Sequence, residues 1–273
     1  GLAGEQASLT GGAGNNSINA GAFGGATTLD GGLGNDSLVG GSGPASLVGG
    51  GGADSLTGGA SNDTLIGGSD NDSSVGGAGN DTYVMGADSL LGTDSLNESG
   101  GGVDTLDFST TTSTVVTVNL ATATAQVVNA NLVLVLGSAT TIENVIGGSL
   151  GDTITDNTLA NVLTGGPGDD GLTGGAGNDR YVFDTDDPLG SDTLNESGGG
   201  TDTLDFSATS GQGINIDLSA AAAQLVNANL TLTLGSASTF EHVIGGSFGN
   251  AITGNALANS LSGGAGSDSI TGG

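Results

Sequence analysis

The residues best placed to do chemistry are aspartates that recur on a fixed spacing. In a nine-residue frame the sixth place is held by Asp36, Asp54, Asp63, Asp72 and Asp81, with Ala45 breaking the series. If two frames make one turn of a coil, residues 18 apart stack on one edge. One edge then carries Asp36, Asp54 and Asp72, and the other Ala45, Asp63 and Asp81. Unpaired carboxylates stacked a few ångströms apart repel strongly. A hard divalent cation between them removes the conflict. Calcium suits such a place, because it accepts about six to eight oxygens in a flexible geometry and glycine-rich turns offer carbonyls. Magnesium demands a tighter octahedron and holds its water. Zinc would want His or Cys, and the chain has one His, His242, and no Cys.

The elements that position these aspartates follow from the rest of the frame, GGxGxDxUx, in which U is aliphatic or aromatic. It runs six times in register from Gly31, Gly40, Gly49, Gly58, Gly67 and Gly76. Each frame divides into a turn of about six residues and a strand of about three. Glycines in the turn permit positive φ and tight curvature. The middle side chain of each short strand faces inward, giving a column of Leu38, Leu47, Leu56, Leu65, Ser74 and Tyr83. Degraded copies lie at 11–19 and 22–30, four more frames fill 147–182, and three occupy 245–271. One buried aliphatic per frame is little apolar burial against the entropy of ordering nine residues. Metal binding is therefore expected to supply folding free energy.

A longer period overlies the short one. Residues 76–173 align with 174–271 without a gap, with roughly 60 of 98 positions identical. The sequence thus divides into a first β-roll block at 1–84, an insert at 85–146, a second block at 147–182, a copy of the insert at 183–244 and a third block at 245–273. VVTVNL at 115–120, LVLVLG at 132–137, INIDL at 214–218 and LTLTLG at 230–235 read as strands. Asn129-Ala130-Asn131 and Asn227-Ala228-Asn229 read as turns between strands. The expected fold is all-β, a parallel β-roll or β-solenoid with strand-rich inserts.

These residues resemble the RTX family, which is defined by the same nonapeptide. Phrases such as NDTYV, GGGVDTLDFS and IENVIGG also look like RTX spacers. The resemblance implies several calcium ions held between alternate turns, and export by type I secretion to an extracellular or cell-surface location. It implies ligation by sixth-place carboxylates with carbonyls near places 1 and 3 of the turn. Carried over residue by residue, the ligands are Asp36, Asp54, Asp63, Asp72, Asp81, Asp152, Asp170, Asp179 and Asp268. Asn161 and Asn250 keep an oxygen without charge, so Asn161–Asp179 and Asn250–Asp268 are expected to be weaker sites. The acids of the inserts, Asp88, Asp94, Glu98 and Asp104 with their copies Asp186, Asp192, Glu196 and Asp202, are as readily a solvated face as ligands.

Composition narrows the function. Lys and Arg together amount to Arg180 alone, against 29 acidic residues, a formal net charge of -28. Nucleic acid and anionic membrane are excluded as partners, and no apolar run is long enough for a transmembrane helix. Arg180 is expected to be solvated. No Ser-His-Asp constellation can be built around His242, which is replaced by Asn144 in the other long unit. No enzyme activity is expected. The expected function is a calcium-stiffened solenoid of a secreted fibre, surface layer or adhesin, self-associating end to end into filaments or layers. The alternative is a non-catalytic RTX module of a larger secreted enzyme or toxin. The chain opens on Gly1 and closes on a fresh Gly-Gly, which suggests a processed product or a piece of a longer array.

Overall fold

The computed structural model describes residues 5–196 and 198–273. They form an all-β structure, a β-solenoid of parallel sheets, with no helix among the described residues. Two compact units are present: Gly1–Thr114 with Thr122–Asn144, and Val115–Ala121 with Val145–Gly273.

In the first unit, alternate strands stack on opposite sides of the coil. One sheet runs Gln6–Ala13, Ala26–Leu33, Ala45–Gly51, Thr64–Ser69, Thr82–Val84 and Thr105–Asp107. The facing sheet runs Ser17–Asn19, Ser37–Val39, Ser55–Gly59, Ser73–Gly77, Gly92–Leu96 and Leu132–Val135. Pairing is parallel with partners 18 residues apart through the regular turns, such as Leu38 with Leu56 and Leu47 with Leu65. The expected single column of inward residues is two facing columns. One is Leu29, Leu47, Leu65, Tyr83 and Leu106; the other is Leu38, Leu56, Ser74 and Leu96. All are buried.

The insert strands join the coil rather than lying apart from it. Gly92–Leu96 pairs with Ser73–Gly77 on one side and Leu132–Val135 on the other. Gln126–Val127 then folds back antiparallel on Leu132–Val135. The connecting turn is held by Asn129, whose Oδ1 accepts the Asn131 N–H at 2.9 Å. The ATATAQ stretch before it is turn and strand edge.

The second unit repeats the arrangement. Thr117–Asn119, Thr153–Thr155, Gly171–Gly174, Gly190–Glu196 and Leu230–Thr233 are parallel neighbours, and Gln224–Asn227 returns antiparallel. Opposite lie Val162–Thr164, Arg180–Val182, Thr203–Asp205, His242–Ile244 and Ser260–Ser262. Aromatic rings thicken the core here: Phe183 stacks on Phe206 at 5.2 Å between centroids, and Tyr181 meets Phe240 edge-on at 5.6 Å. His242 is half-buried on its strand.

Arg180 is not simply solvated. Its Nε and Nη2 both contact Asp205 Oδ2, and Asp205 is fully buried while Arg180 is 48% exposed. Adjacent parallel strands bring the two together, Arg180–Val182 beside Thr203–Asp205. An outward place on a strand still faces its neighbour on the next turn.

Candidate metal centre

The sixth-place aspartates fold inward and reach back to the preceding turn. Asp54 Oδ1 accepts the Asp36 N–H at 2.7 Å, Asp72 Oδ1 the Asp54 N–H at 2.8 Å, and Asp81 Oδ1 the Asp63 N–H at 2.8 Å. One carboxylate oxygen is thus spent on the backbone. The other is left over. Oδ2 of Asp36, Asp54, Asp63, Asp72, Asp81, Asp170 and Asp179 is buried without a hydrogen-bond partner. An ionised oxygen in that condition is costly unless a cation faces it.

The first glycine of each frame explains how the oxygens converge. A Cβ at Gly49 would strike Asp54 Oδ2 and would lie 2.5 Å from the Gly67 carbonyl oxygen of the next turn. Gly31 has the same surroundings, with Asp36 Oδ2 and the Gly49 carbonyl. Over Gly31, Gly49 and Gly58, a carboxylate oxygen and a carbonyl oxygen therefore approach one space from two turns. The donor set is all oxygen, part charged and part carbonyl, which fits calcium.

A second ladder runs the other way along the outside. Asn35 Oδ1 accepts the Ala53 N–H at 3.0 Å, Asn62 Oδ1 the Asn80 N–H at 2.8 Å, and Asn178 Oδ1 the Thr201 N–H at 2.9 Å. Fifth- and sixth-place side chains together satisfy the turn amides that no strand partner reaches. The recurrent Asn-Asp pair was the signal for it.

The inserts continue the inner ladder. Asp94 Oδ1 accepts the Asp72 N–H at 3.0 Å, Asp104 Oδ1 the Asp81 N–H at 2.8 Å, and Glu143 Oε2 the Asp104 N–H at 2.8 Å. Asp192, Asp202 and Glu241 do the same for Asp170, Asp179 and Asp202. Two carboxylate trios result, Asp81–Glu98–Asp104 and Asp179–Glu196–Asp202, each with ligand atoms within 4.8 Å of one another. Tyr83 donates to Glu98 Oε2 at 2.6 Å, and Tyr181 donates to Glu196 Oε1. Asp88 and Asp186 play a different part. They are clips that accept loop amides, Thr112 and Ser113 for the half-buried Asp88, Ser210 and Gly211 for the exposed Asp186.

Two of the nine carried-over aspartates depart from the pattern. Asp152 spends both oxygens, on the Val116 N–H at 2.7 Å and the Gly148 N–H at 2.5 Å. Asp268 accepts the Asn250 N–H at 2.8 Å and is exposed. Where Asn250 takes the sixth place, its amide nitrogen donates to the Gly263 carbonyl at 2.6 Å. There the side chain itself faces the carbonyl with a hydrogen, as a cation would with charge.

Burial pushes several of the inner acids upward. Asp72 rises to about 7, through burial first and then the charges of Asp94, Asp54 and Asp70. Asp170 rises to about 7 through burial and the charges of Asp152 and Asp169. Glu196 rises to about 8, again through burial, with Asp202, Asp179 and Asp156 adding to it. The ion-free site thus favours protons that a divalent cation would displace.

RTX calcium-binding nonapeptide repeats match the chain at residues 8–22, 22–43, 48–83, 146–181 and 244–273, together about half of its length. The chain belongs to the RTX repeat family. No curated protein matches it. The RTX match covers the turns that carry the inner ladder and stops short of most of each insert.

Because each RTX aspartate serves two turns, removing one is expected to have two effects. Asp54→Ala strands the buried Asp36 N–H, a cost of about 1–3 kcal/mol, and should remove two calcium equivalents in a binding titration. Loss of one equivalent would contradict the pairing of Asp54 with both Asp36 and Asp72.

Proposed function

We propose that this chain is a calcium-folded structural module of an exported protein, a solenoid that stiffens when calcium enters between its turns. The observation that carries this reading is the row of buried carboxylate oxygens with no partner. An RTX array with this row is strained by its own charge until ions arrive. That property suits a chain that must be slack during export and rigid outside, where calcium is abundant.

The finer reading is a calcium-stiffened solenoid of a secreted fibre, surface layer or adhesin, assembling end to end. Parallel coils favour such assembly, since an exposed turn presents strand edges to the next copy. In millimolar calcium, light scattering and electron microscopy are expected to show elongated particles that return to single chains with chelator. A monodisperse monomer throughout would instead favour a non-catalytic module within a larger secreted enzyme or toxin.

A further inference from the structure

The frame at 156–164, DNTLANVLT, lacks both opening glycines and departs from its neighbours at two places that bear on ligation. Asp156 stands where glycine opens the others, and Asn161 takes the sixth place. Its counterpart in the long repeat, 254–262, keeps the glycine as Gly254 with Asn259 at the sixth place, and the regular frame at 58–66 has Gly58 and Asp63. At Gly58 an added Cβ would run into Asp63 Oδ2. The first and sixth side chains of one frame therefore point into the same space. With Asn161 at the sixth place, a carboxylate reaches that space from the first.

Asp156 is 2% exposed; its carboxylate lies beside the Gly175 amide and the Asp179 carboxylate, and neither of its oxygens makes a hydrogen bond of good geometry. It stands at the edge of the Asp179–Glu196–Asp202 trio, whose own ligand atoms lie within 4.8 Å of one another: its carboxylate lies against that of Asp179, and it is close enough to Asp202 and Glu196 for their charges to act on one another. Glu196 Oε2 and Asp179 Oδ2 are also buried without partners. The trio is packed beneath Gly174, where a Cβ would strike both Glu196 Oε1 and the Tyr181 hydroxyl. Beside it opens a cavity of about 190 Å³ lined by Glu196, Asp202 and Glu241.

We propose that Asp156, Asp179, Glu196 and Asp202 form one calcium site, in which the ligand missing at Asn161 is restored from the first place of the same frame. The proposal rests on the reading of the chain as a calcium binder. Four carboxylates around one divalent ion are a high charge count, and charge count raises calcium affinity. This site should fill among the first.

The chain has two tyrosines and no tryptophan, and each tyrosine donates to the glutamate of one trio. Terbium, a hard ion that takes calcium sites, is therefore reported by tyrosine-sensitised emission. In a Tyr83→Phe background only Tyr181 can sensitise. There, terbium emission is expected to saturate and to be displaced by calcium. Asp156→Asn should weaken terbium binding at least tenfold. In a Tyr181→Phe background, which reads the Asp81 trio, Asp156→Asn should change nothing. The double variant Asp156→Gly with Asn161→Asp returns the carboxylate to the sixth place and should recover the affinity. A Tyr181-sensitised midpoint that moves less than twofold in Asp156→Asn overturns the proposal, and so does a swap that recovers nothing. If the unaltered chain shows neither calcium displacement of terbium nor a calcium-induced change in circular dichroism, the underlying calcium reading falls with it.

Discussion

In calcium-free buffer the chain is expected to keep its β structure in mild acid and to lose it as pH rises through about 6 to 8. The inner carboxylates are held above their usual range chiefly by burial: Asp63 and Asp94 to about 6, Asp72, Asp104 and Asp170 to about 7, Asp192 to about 8. A group whose pKa is higher in the folded chain than in the unfolded one favours folding while it is protonated. Its contribution is complete below the unfolded value of 3.8 and is gone above the folded one. Several such groups titrate together, so the transition should be steep. Asp88 and Asp186 have the opposite sign, because loop amides hold them low. What they add is present above the unfolded value and fades only in stronger acid. The ion-free optimum should therefore lie at about pH 4 and decline above it. Millimolar calcium is expected to shift the balance, since the cation replaces the protons and the fold should persist at pH 8. Circular dichroism against pH, with calcium and with chelator, checks both halves. An ion-free chain equally folded at pH 5 and pH 8 would contradict the crowding of charge.

Gly49→Ala is expected to damage the first unit more than most single substitutions. Its Cβ would take the space where Asp54 Oδ2 and the Gly67 carbonyl meet. Relief requires moving backbone, not a flexible side chain, so the overpacking cost is expected to be about 3 kcal/mol or more. The same methyl would occupy the proposed ion position. Gly12→Ala is the contrast. Gly12 has φ +103 but nothing within 4 Å of its would-be Cβ. It should cost only the left-handed strain, about 1–2 kcal/mol. Thermal unfolding in calcium compares the two, and calcium titration should show lost equivalents for Gly49→Ala alone. Equal damage from both would mean that the space over the first glycine is not special.

The regular part of the structure was legible because the frame is short and strict. Nine residues per strand and 18 per turn predict which aspartates stack, and the register of Leu38 on Leu56 and Leu47 on Leu65 follows. The inserts were less legible because their rungs keep the geometry but not the spacing. Asp72 to Asp94 is 22 residues, Asp81 to Asp104 is 23, and Asp104 to Glu143 is 39. The extra residues leave and rejoin the coil between rungs, so periodicity alone cannot find Asp94, Asp104 or Glu143. Whether Asp88 and Asp186 were ligands or a solvated face stayed open, because composition does not distinguish an inward carboxylate from a loop clip. Arg180 was misjudged for a related reason: its partner Asp205 is 25 residues away and adjacent only across strands.

The leftover carboxylate oxygens are expected to be calcium ligands. An anomalous difference map from crystals grown in calcium tests it most directly. Peaks are expected between turns, beside Oδ2 of Asp36, Asp54, Asp63, Asp72, Asp81, Asp170 and Asp179, with none at the Asn250 rung, where an amide already meets the Gly263 carbonyl. A map with water alone at those oxygens, from a chain that is fully folded, would contradict the claim.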